Sequence, residues 1–210
     1  EFAESHGAGA AAQAFRQTGS GLDKARALQC LSMAVYYEAA SESHAGQQAV
    51  AQVVLNRVAH PAYPASVCGV VFQGSERTTG CQFSFTCDGS LGRRPSRRGW
   101  AVAQSVALAA LAGEVYRPIG LATHYHTHYV NPYWAASLDF IRSIGAHRFY
   151  RWRGGAGTAG AFTDAYAGSE PLAYQWLFNN SQIAGATSSE LTVANVGGAN
   201  EGSYQGGISN

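Results

Sequence analysis

Long apolar stretches are absent from this sequence of 210 residues. Because a transmembrane helix needs about 18 or more consecutive apolar residues, we expect no insertion into a membrane. Charged residues make up only 13% of the chain, which is low for a cytosolic protein and favours an envelope or secreted protein, periplasmic or extracellular. The formal net charge is +1, so we expect no nucleic-acid partner. No signal peptide is visible, and an opening at Glu1 is expected of a mature or trimmed product.

Lysine is almost missing, since Lys24 is the only one and arginine supplies the other cations. Four of the arginines lie close together in the chain, at Arg93, Arg94, Arg97 and Arg98. A basic cluster of this kind can meet an anionic polymer, but charge runs are usually solvent-exposed. We therefore interpret the cluster as a solvated loop.

The four cysteines contain no CxxC pair, so a zinc ribbon is not expected. An even number of cysteines in a chain with few charges favours disulfides and an oxidising compartment. Cys81 and Cys87 are close enough to staple a small loop, which would leave Cys30 to pair with Cys68. Four cysteines allow three pairings, and the sequence alone does not choose among them.

The most informative stretch runs from Ala27 to Val58 and predicts two helices joined by a short polar turn. The first helix is expected over residues 24–40, and Ser43 is a suitable N-cap for the second. Four side chains of the first helix share one stripe, because a helix turns by about 100° per residue. They are Leu28, Leu31, Val35 and Glu38.

Glu38 is the lead catalytic candidate, because it is a carboxylic acid on an otherwise apolar stripe. Burial disfavours the ionised form of a carboxyl group and raises its pKa. A carboxyl group that stays protonated near neutral pH can donate a proton to the leaving oxygen of a glycosidic bond. The alternative is that Glu38 pairs with an arginine such as Arg57 and only stabilises the fold.

Two further segments place polar residues in rows. Residues 81–87 alternate between polar side chains and Phe83 and Phe85, which predicts a half-buried strand with one polar face. Such a row suits sugar hydroxyl groups, so Gln82, Ser84 and Asp88 are candidates for substrate binding.

Residues 98–112 predict a third long helix, whose buried stripe is expected to consist of Ala103, Val106, Ala107, Ala110 and Leu111.

Residues 121–130 also alternate and predict a strand with three histidines on one face. His124, His126 and His128 point the same way, so they could hold a metal ion. Their spacing suits two ligands better than three, and no nearby Asp or Glu completes a set. We therefore expect no metal and no other cofactor, and we interpret His124 and His126 as a polar wall that binds glycan.

Several of these segments together resemble the SleB-type cell wall hydrolase family, whose spore-cortex-lytic members act on peptidoglycan. The resemblance runs from about Ala27 to Arg153. It is carried in order by CLSMAVYYEAASESHAGQQAVAQVVLNRV, PASVCGVVFQ, CQFSFTCDGS, ATHYHTHYVNPYW and IGAHRFYRW. Family members carry a catalytic glutamate in a segment similar to residues 38–42, and position by position it corresponds to Glu38. The resemblance and the helical stripe thus select the same residue.

The resemblance implies cleavage of the bond between N-acetylmuramic acid and N-acetylglucosamine by lytic transglycosylation, with Glu38 as acid and then base. Relatives are rich in tyrosine where this chain has His124 and His126. Tyr125 keeps a tyrosine and is a candidate for supporting the acid or stacking on glycan. Three alternatives stay open. They are a hydrolytic muramidase, a metal-dependent cell-wall amidase that uses the three histidines, and a non-catalytic glycan-binding envelope protein.

The elements predict an α+β fold, mainly helical with a small antiparallel sheet, and the resemblance implies a lysozyme-like arrangement. We expect a monomer with four parts. These are a flexible leader (1–23), the catalytic domain (24–153), a Gly/Ala-rich linker (154–170) and a partial immunoglobulin-like segment (171–210). In the last part, Trp176 resembles the core tryptophan of an immunoglobulin sandwich, and residues 201–204 resemble its tyrosine corner. About half of such a sandwich is missing, so we expect this tail to be poorly ordered, docked on the main domain or truncated.

Overall fold

The computed structural model describes residues 7–16, 19–77, 80–162, 173–179, 181–187, 191–193, 197 and 202–209. The chain separates into two compact units, Glu1–Ser169 and Glu170–Asn210. The helices of the first unit are α1 (Gly21–Ala39), α2 (His44–Ala59), α3 (Val67–Val71) and α4 (Arg97–Leu111). Its strands are β1 (His124–Thr127), β2 (Asp139–Ile144) and β3 (His147–Arg151). The second unit contains β4 (Ala173–Phe178), β5 (Ser181–Gln182) and β6 (Tyr204–Ser209).

Helix α2 lies at the centre of the first unit, with α1, α3 and α4 packed against it. It begins after Ser43, whose hydroxyl oxygen accepts a hydrogen bond from Gly46 N at 3.3 Å, so the predicted N-cap is confirmed. Every side chain from Ala49 to Ala59 is buried. A helix enclosed on several sides must pair its polar groups inside the protein.

Polar side chains of α2 form hydrogen bonds with each other and with the segment that precedes β1. Gln52 Nε2 donates to Asn56 Oδ1 at 2.9 Å, and Asn56 Nδ2 donates to the carbonyl oxygens of Gly120 and Ala122. The carboxamide oxygen of Gln52 accepts from Tyr116 N at 2.9 Å. Helix α2 therefore fixes the path of the chain into the first strand.

Helix α1 begins at Gly21 because Ser20 and Asp23 form a capping box. The Ser20 hydroxyl accepts from Asp23 N, and the Asp23 carboxylate accepts from Ser20 N at 2.8 Å. These hydrogen bonds also lower the pKa of Asp23. The helix thus begins three residues before the predicted start at Lys24, because Ser20 is its N-cap.

Helix α4 confirms the predicted stripe, since its buried residues are Ala103, Val106, Ala107, Ala110 and Leu111. Because three of the five are alanines, α1 can approach α4 closely. Gly113 ends the helix with φ +101°, and its N–H donates to Ala110 O at 3.0 Å. None of the described helices is long and apolar enough to cross a membrane.

Strands β1, β3 and β2 form an antiparallel sheet in that spatial order. Tyr125 of β1 pairs with Phe149 of β3, which is fully buried. Strand β1 covers only four of the ten residues of the predicted strand, because a turn follows it at 128–129. A mainly helical domain with a small antiparallel sheet is confirmed.

Residues 81–87 do not form the predicted strand. The segment contains a 3₁₀ turn at Ser84–Thr86, although Phe83 and Phe85 are buried as expected. The disulfide between Cys81 and Cys87 explains the difference, since it holds their Cα atoms 6.4 Å apart. A strand over the same six steps would span about 20 Å. The predicted pair of Cys30 and Cys68 is also formed and joins α1 to α3.

Two segments expected to lie outside the catalytic domain pack against its core at particular residues. Phe15, from the predicted leader, is only 7% exposed and belongs to the core around α1 and α2. In the predicted linker, Ala156 O lies 3.1 Å from His60 Nε2, and the chain turns at Gly154–Gly157 and Ala159–Ala161. Phe162 then packs on the same core. Phe15 precedes the predicted domain in the sequence and Phe162 follows it. These apolar side chains explain the packing better than the glycine and alanine content of the two segments does.

The described residues of the second unit form an antiparallel sheet of three strands in the order β5, β4, β6. Trp176 lies on β4 opposite Gly206 of β6, and the rings of Phe178 and Tyr204 are 4.8 Å apart. The resemblance of this unit to part of an immunoglobulin sandwich stays a prediction. Glu201, the first residue of the proposed tyrosine corner, lies outside the described residues.

Candidate active site around Glu38

Glu38 lies in the last turn of α1, and the stripe that predicted its position is present. Leu31 and Val35 are fully buried, and Leu28 packs against the same core. The Glu38 side chain is half-buried at the end of this stripe. Its Oε2 atom accepts a hydrogen bond of 2.9 Å from the hydroxyl group of Tyr125. The helix thus carries a carboxyl group from the core to the edge of the sheet.

Burial is the main influence on the Glu38 carboxyl group and raises its pKa above the ordinary value. The hydrogen bond from Tyr125 and the positive charge of Arg57 act in the opposite direction, and the Asp88 carboxylate raises the pKa further. The net direction is upward. A raised pKa keeps a larger fraction of Glu38 protonated near neutral pH, as a general acid requires.

Tyr125 is positioned by β1 and held between rings of β3. Its ring meets His147 edge-on with centroids 5.1 Å apart, and it packs against Phe149 at 5.7 Å. Burial raises the pKa of Tyr125 well above its usual range, so the hydroxyl group keeps its proton. Tyr125 therefore remains a hydrogen-bond donor to Glu38 near neutral pH.

Arg57 lies behind the site, on α2, and is only 3% exposed. Its Nε donates to Thr123 O at 2.6 Å. With the Gln82 amide oriented so that its oxygen faces the guanidinium group, that oxygen accepts from both terminal nitrogens, at 2.9 and 3.2 Å. The guanidinium carbon also lies 5.4 Å from the ring centre of Tyr63 and 5.3 Å from that of Phe83. These contacts join α2, residues 82–83 and the start of β1.

The alternative in which Glu38 forms an ion pair with Arg57 is not what the structure shows. Among the described residues, the ion pairs within 4.0 Å do not join these two side chains. Arg57 acts on Glu38 only through its charge. The sequence marked Arg57 as a possible partner of Glu38 but gave no sign of its contacts with Thr123 and Gln82.

The three candidates from residues 81–88 have different surroundings. Gln82 turns its amide oxygen inward to Arg57, whereas Ser84 and Asp88 are exposed. Asp88 Oδ1 accepts from Ser90 N at 2.8 Å. Hydrogen bonding with the Ser90 side chain, and then with this backbone N–H, lowers the pKa of Asp88. Because the Asp88 charge also raises the pKa of Glu38, these two carboxyl groups belong to the same electrostatic neighbourhood.

His124 and His126 share a face of β1, as predicted, and both contact Trp134, at ring distances of 5.3 and 5.6 Å. His124 also meets Trp152 edge-on at 4.9 Å. Burial, with the nearby charge of Arg57 and the neighbouring His60, lowers the pKa of His124 to about 4. His126 Nε2 lies 2.8 Å from Tyr150 Oη. The described part of the chain contains no group of three His, Cys, Asp or Glu side chains arranged to hold a metal ion.

Glu42 follows Glu38 by four positions in the sequence, but its carboxylate contacts a different part of the fold. Its carboxylate accepts from Ala146 N, at 3.2 and 3.4 Å, and Oε1 lies 3.8 Å from His147 Nδ1. A side chain at Gly145 would overlap the Glu42 carboxylate. Glu42 therefore fixes the turn between β2 and β3 to the end of α1.

Known proteins are similar to this chain in sequence and in fold. The chain is 35% identical over 123 residues to the spore cortex-lytic enzyme of Halalkalibacterium halodurans, which covers 58% of this chain and 34% of the relative. It is 32% identical over 123 residues to the spore cortex-lytic enzyme of Bacillus subtilis, which covers 58% of this chain and 36% of the relative. The chain thus spans about a third of the length of these two relatives.

Two solved catalytic domains share the fold at 30% sequence identity and cover 64% of this chain. One is that of SleB from Bacillus cereus, with a TM-score of 0.51 and 94% of its own chain covered. The other is that of the germination-specific lytic transglycosylase SleB from Bacillus anthracis, with a TM-score of 0.50 and 98% covered. A model of the Cell Wall Hydrolase family matches residues 41–150, a segment that begins just after Glu38. Because that match covers more than half of the 210 residues, this protein belongs to the Cell Wall Hydrolase family.

Proposed function

We propose that this protein cleaves the β-1,4 bond between N-acetylmuramic acid and N-acetylglucosamine in peptidoglycan, as a lytic transglycosylase with Glu38 as its acid and base. One observation carries the proposal. Glu38 is a half-buried carboxyl group with a raised pKa, held by Tyr125 at the edge of the sheet. Membership of the Cell Wall Hydrolase family and the similarity to SleB catalytic domains support it.

The first step is a proton transfer from Glu38. Because Tyr125 donates to Oε2, the acidic proton of Glu38 belongs on Oε1, which is the oxygen that can face the glycosidic bond. Oε1 gives this proton to O4 of N-acetylglucosamine as the bond from C1 of N-acetylmuramic acid to O4 breaks. The electron pair of the bond leaves with O4, and positive charge develops at C1.

The second step uses Glu38 in the opposite sense. Its carboxylate, now ionised, takes the proton of the 6-hydroxyl group of the same muramic acid. O6 then forms a bond to C1, which gives a 1,6-anhydro ring. No water is consumed, and Glu38 ends the cycle protonated. The hydrogen bond from Tyr125 stabilises the carboxylate between the two steps.

Hydrolysis usually requires a second carboxyl group, which activates water or attacks the sugar. Glu42 is bonded to the β2–β3 turn, so it does not serve this purpose. Asp88 is exposed and its pKa is lowered. If the protein were a hydrolytic muramidase, Asp88 would therefore be its catalytic base. The two reactions differ in their products, because hydrolysis leaves reducing ends and transglycosylation leaves anhydro ends.

The substrate-side assignments remain part of the proposal. Ser84 and Asp88 are exposed and can meet sugar hydroxyl groups, whereas Gln82 supports Arg57. His124, with its lowered pKa, is a neutral polar group among aromatic rings. His126 lies on the same face of β1 as His124, whereas Tyr125 lies on the opposite face, beside Glu38. We expect the protein to act as a monomer in the cell envelope, periplasmic or secreted, and to need no cofactor.

The test is digestion of purified peptidoglycan by the wild type and by Glu38→Gln, each with and without EDTA, followed by mass analysis of the products. General acid catalysis contributes about 10²–10⁴-fold, so Glu38→Gln should lose at least 99% of the activity. Glu76→Gln is the matched control, because Glu76 is an exposed acid whose ion pair among the described residues is with the exposed Arg77. Both variants remove one carboxyl group.

Anhydromuramoyl ends made by the wild type and by Glu76→Gln, unaffected by EDTA, are the expected result. If the products carry reducing ends that depend on Glu38, the reaction is hydrolysis and not transglycosylation. Free peptide ends that disappear with EDTA would favour the amidase. Binding to peptidoglycan without released fragments would favour a glycan-binding protein, and either of these two results would overturn the proposal.

A further inference from the structure

An open groove of about 560 Å³ lies beside the C-terminal half of α1, and its lining combines apolar and cationic side chains. The residues that form it include Met33, Tyr37, Leu91, Trp100, Arg94 and Arg97. Leu91 is 41% exposed although it is a large apolar residue. A solvent-exposed apolar surface next to arginines indicates a ligand that presents both apolar groups and negative charge.

The wall that carries the arginines is fixed to α1 by two adjacent tyrosines. Tyr37 Oη donates to Arg93 O at 3.0 Å, and Tyr36 Oη accepts from Ser96 N at 2.9 Å. These hydrogen bonds lie on either side of Arg94 in the sequence. The Tyr37 ring also stacks on Phe85 with centroids 5.0 Å apart. The groove is therefore built into the fold, because its floor and its wall are hydrogen-bonded to the same turn of one helix.

The positive charge in the groove is not neutralised within the described part of the chain. Arg94 and Arg97 are exposed, and neither forms an ion pair with any described residue. No Asp or Glu lines the groove among the described residues. Guanidinium groups bind carboxylates through paired hydrogen bonds, which a neutral sugar does not offer. Charge complementarity thus favours a ligand with carboxylate groups.

We propose that this groove binds the peptide stem of peptidoglycan, with stem carboxylates on Arg94 and Arg97 and alanine methyl groups on the apolar floor. Stem peptides combine alanine with acidic residues, and this composition matches the two halves of the groove. The stem is attached to N-acetylmuramic acid, the sugar at the bond that Glu38 is proposed to cleave. Tyr37 precedes Glu38 on α1, so a bound stem lies on the same turn as the acid. The inference rests on the proposed function for the identity of the polymer.

The experiment compares two substrates, intact peptidoglycan and the same glycan strands stripped of their stems by an amidase. The groove variant is Arg94→Gln/Arg97→Gln, and the control is Arg98→Gln/Arg142→Gln. The control removes the same charge from exposed arginines that do not line the groove. Because the groove variant removes two charge-assisted hydrogen-bond donors, it should lose about tenfold or more in kcat/KM on intact peptidoglycan. The loss should appear in KM, and stripped strands should be cleaved at the wild-type rate.

A second measurement separates this inference from the proposed function. Isothermal titration with a soluble stem tetrapeptide should show binding that the groove variant weakens by about tenfold or more and the control leaves unchanged. An equal loss on both substrates, or an equal loss in the control, would overturn the stem site. If no substrate is cleaved, the proposed function fails and the titration alone decides, since a stem peptide that does not bind the wild type overturns the inference.

Discussion

The hydroxyl group of Tyr125 donates a 2.9 Å hydrogen bond to Oε2 of Glu38, across 87 positions of sequence. The contact joins the last turn of α1 to the first strand of the sheet. It acts against burial, which raises the pKa of Glu38, because a donor stabilises the ionised carboxylate. Burial and this hydrogen bond are the two largest effects on the proton affinity of the Glu38 carboxyl group, and mutation of Tyr125 removes the second.

Tyr125→Phe removes the hydroxyl group and leaves the ring. The pKa of Glu38 should rise further, because the strongest influence that lowers it is lost. The protonated acid then persists to higher pH, so the alkaline limb of the activity profile should move upward. The rate at the optimum should fall about tenfold, since the carboxylate formed during the reaction loses a charge-assisted hydrogen bond. Initial rates of peptidoglycan cleavage measured across pH give both quantities.

The matched control for that change is Tyr133→Phe, because the Tyr133 side chain is 95% exposed. Its pH profile should coincide with that of the wild type. An alkaline limb that stays in place or moves to lower pH in Tyr125→Phe would contradict the assignment of Glu38 as the acid.

Arg57→Gln should destabilise the first unit and also change the pH profile. The substitution leaves the Thr123 carbonyl oxygen and the Gln82 amide oxygen without the guanidinium group. Loss of the donor to the buried Thr123 carbonyl oxygen and to the half-buried Gln82 amide should lower the free energy of unfolding by about 3 kcal/mol. The protein that remains folded should show a higher pKa for Glu38, because the Arg57 charge lowers it in the wild type.

Urea denaturation and the pH dependence of cleavage measure the two effects of Arg57→Gln. Arg142→Gln is the control, since Arg142 is exposed on β2 and should change stability by no more than about 0.5 kcal/mol. Equal stability of Arg57→Gln and the wild type would show that these buried hydrogen bonds do not hold the site together.

The parts of the site that the sequence predicted depend on local periodicity. Glu38 ends a stripe with Leu31 and Val35, and a helix fixes the relative directions of these side chains whatever surrounds it. The buried stripe of α4 follows from the same rule. The hydrogen bond between Tyr125 and Glu38 depends instead on how a helix and a strand pack, which no pattern within either segment encodes.

The failed strand at residues 81–87 shows how a covalent constraint overrides a local pattern. Alternation with Phe83 and Phe85 predicted an extended chain, and the disulfide predicted for Cys81 and Cys87 required a short one. These two expectations exclude each other, because a Cα separation of 6.4 Å is incompatible with six extended steps. The buried positions were predictable because both backbones turn the two phenylalanines inward. The inward direction of the Gln82 amide was not, because it depends on Arg57.

His124→Gln should reduce the loss of stability in acid. The pKa of His124 is about 4 in the folded protein, below the ordinary value of 6.5, because burial, the Arg57 charge and the neighbouring His60 disfavour the imidazolium form. The unfolded chain therefore binds the proton more strongly. The stability due to neutral His124 is complete above pH 6.5 and is lost as the pH falls towards about 4. Without that group, stability should fall less steeply over the same window.

Thermal unfolding of the wild type and His124→Gln between these pH limits is the measurement. His128→Gln serves as the control, because His128 is an exposed histidine immediately after the same strand. If stability falls with pH as steeply in His124→Gln as in the wild type, the wild-type His124 imidazole is more solvated than its contacts with Trp134 and Trp152 indicate.

The two disulfides should differ in what their removal changes. Closing a longer loop restricts the unfolded chain more, so Cys30→Ala/Cys68→Ala, which opens a loop with a sequence separation of 38, should lower the free energy of unfolding by about 4 kcal/mol. Cys81→Ala/Cys87→Ala opens a loop with a separation of 6 and should lower it by about 2 kcal/mol.

The shorter loop, however, contains Gln82 and Ser84, so its opening acts on the site. Once the Cys81–Cys87 bond is gone, the segment can extend and withdraw the Gln82 amide from Arg57. Cys81→Ala/Cys87→Ala should therefore lose more peptidoglycan cleavage than Cys30→Ala/Cys68→Ala, when both are assayed at a temperature where both are folded. Denaturant unfolding and cleavage rates, measured on the same preparations, separate the two effects. The opposite order of activities would mean that residues 81–87 keep their conformation without the disulfide and that the packing of Phe83 and Phe85 alone holds Gln82 against Arg57.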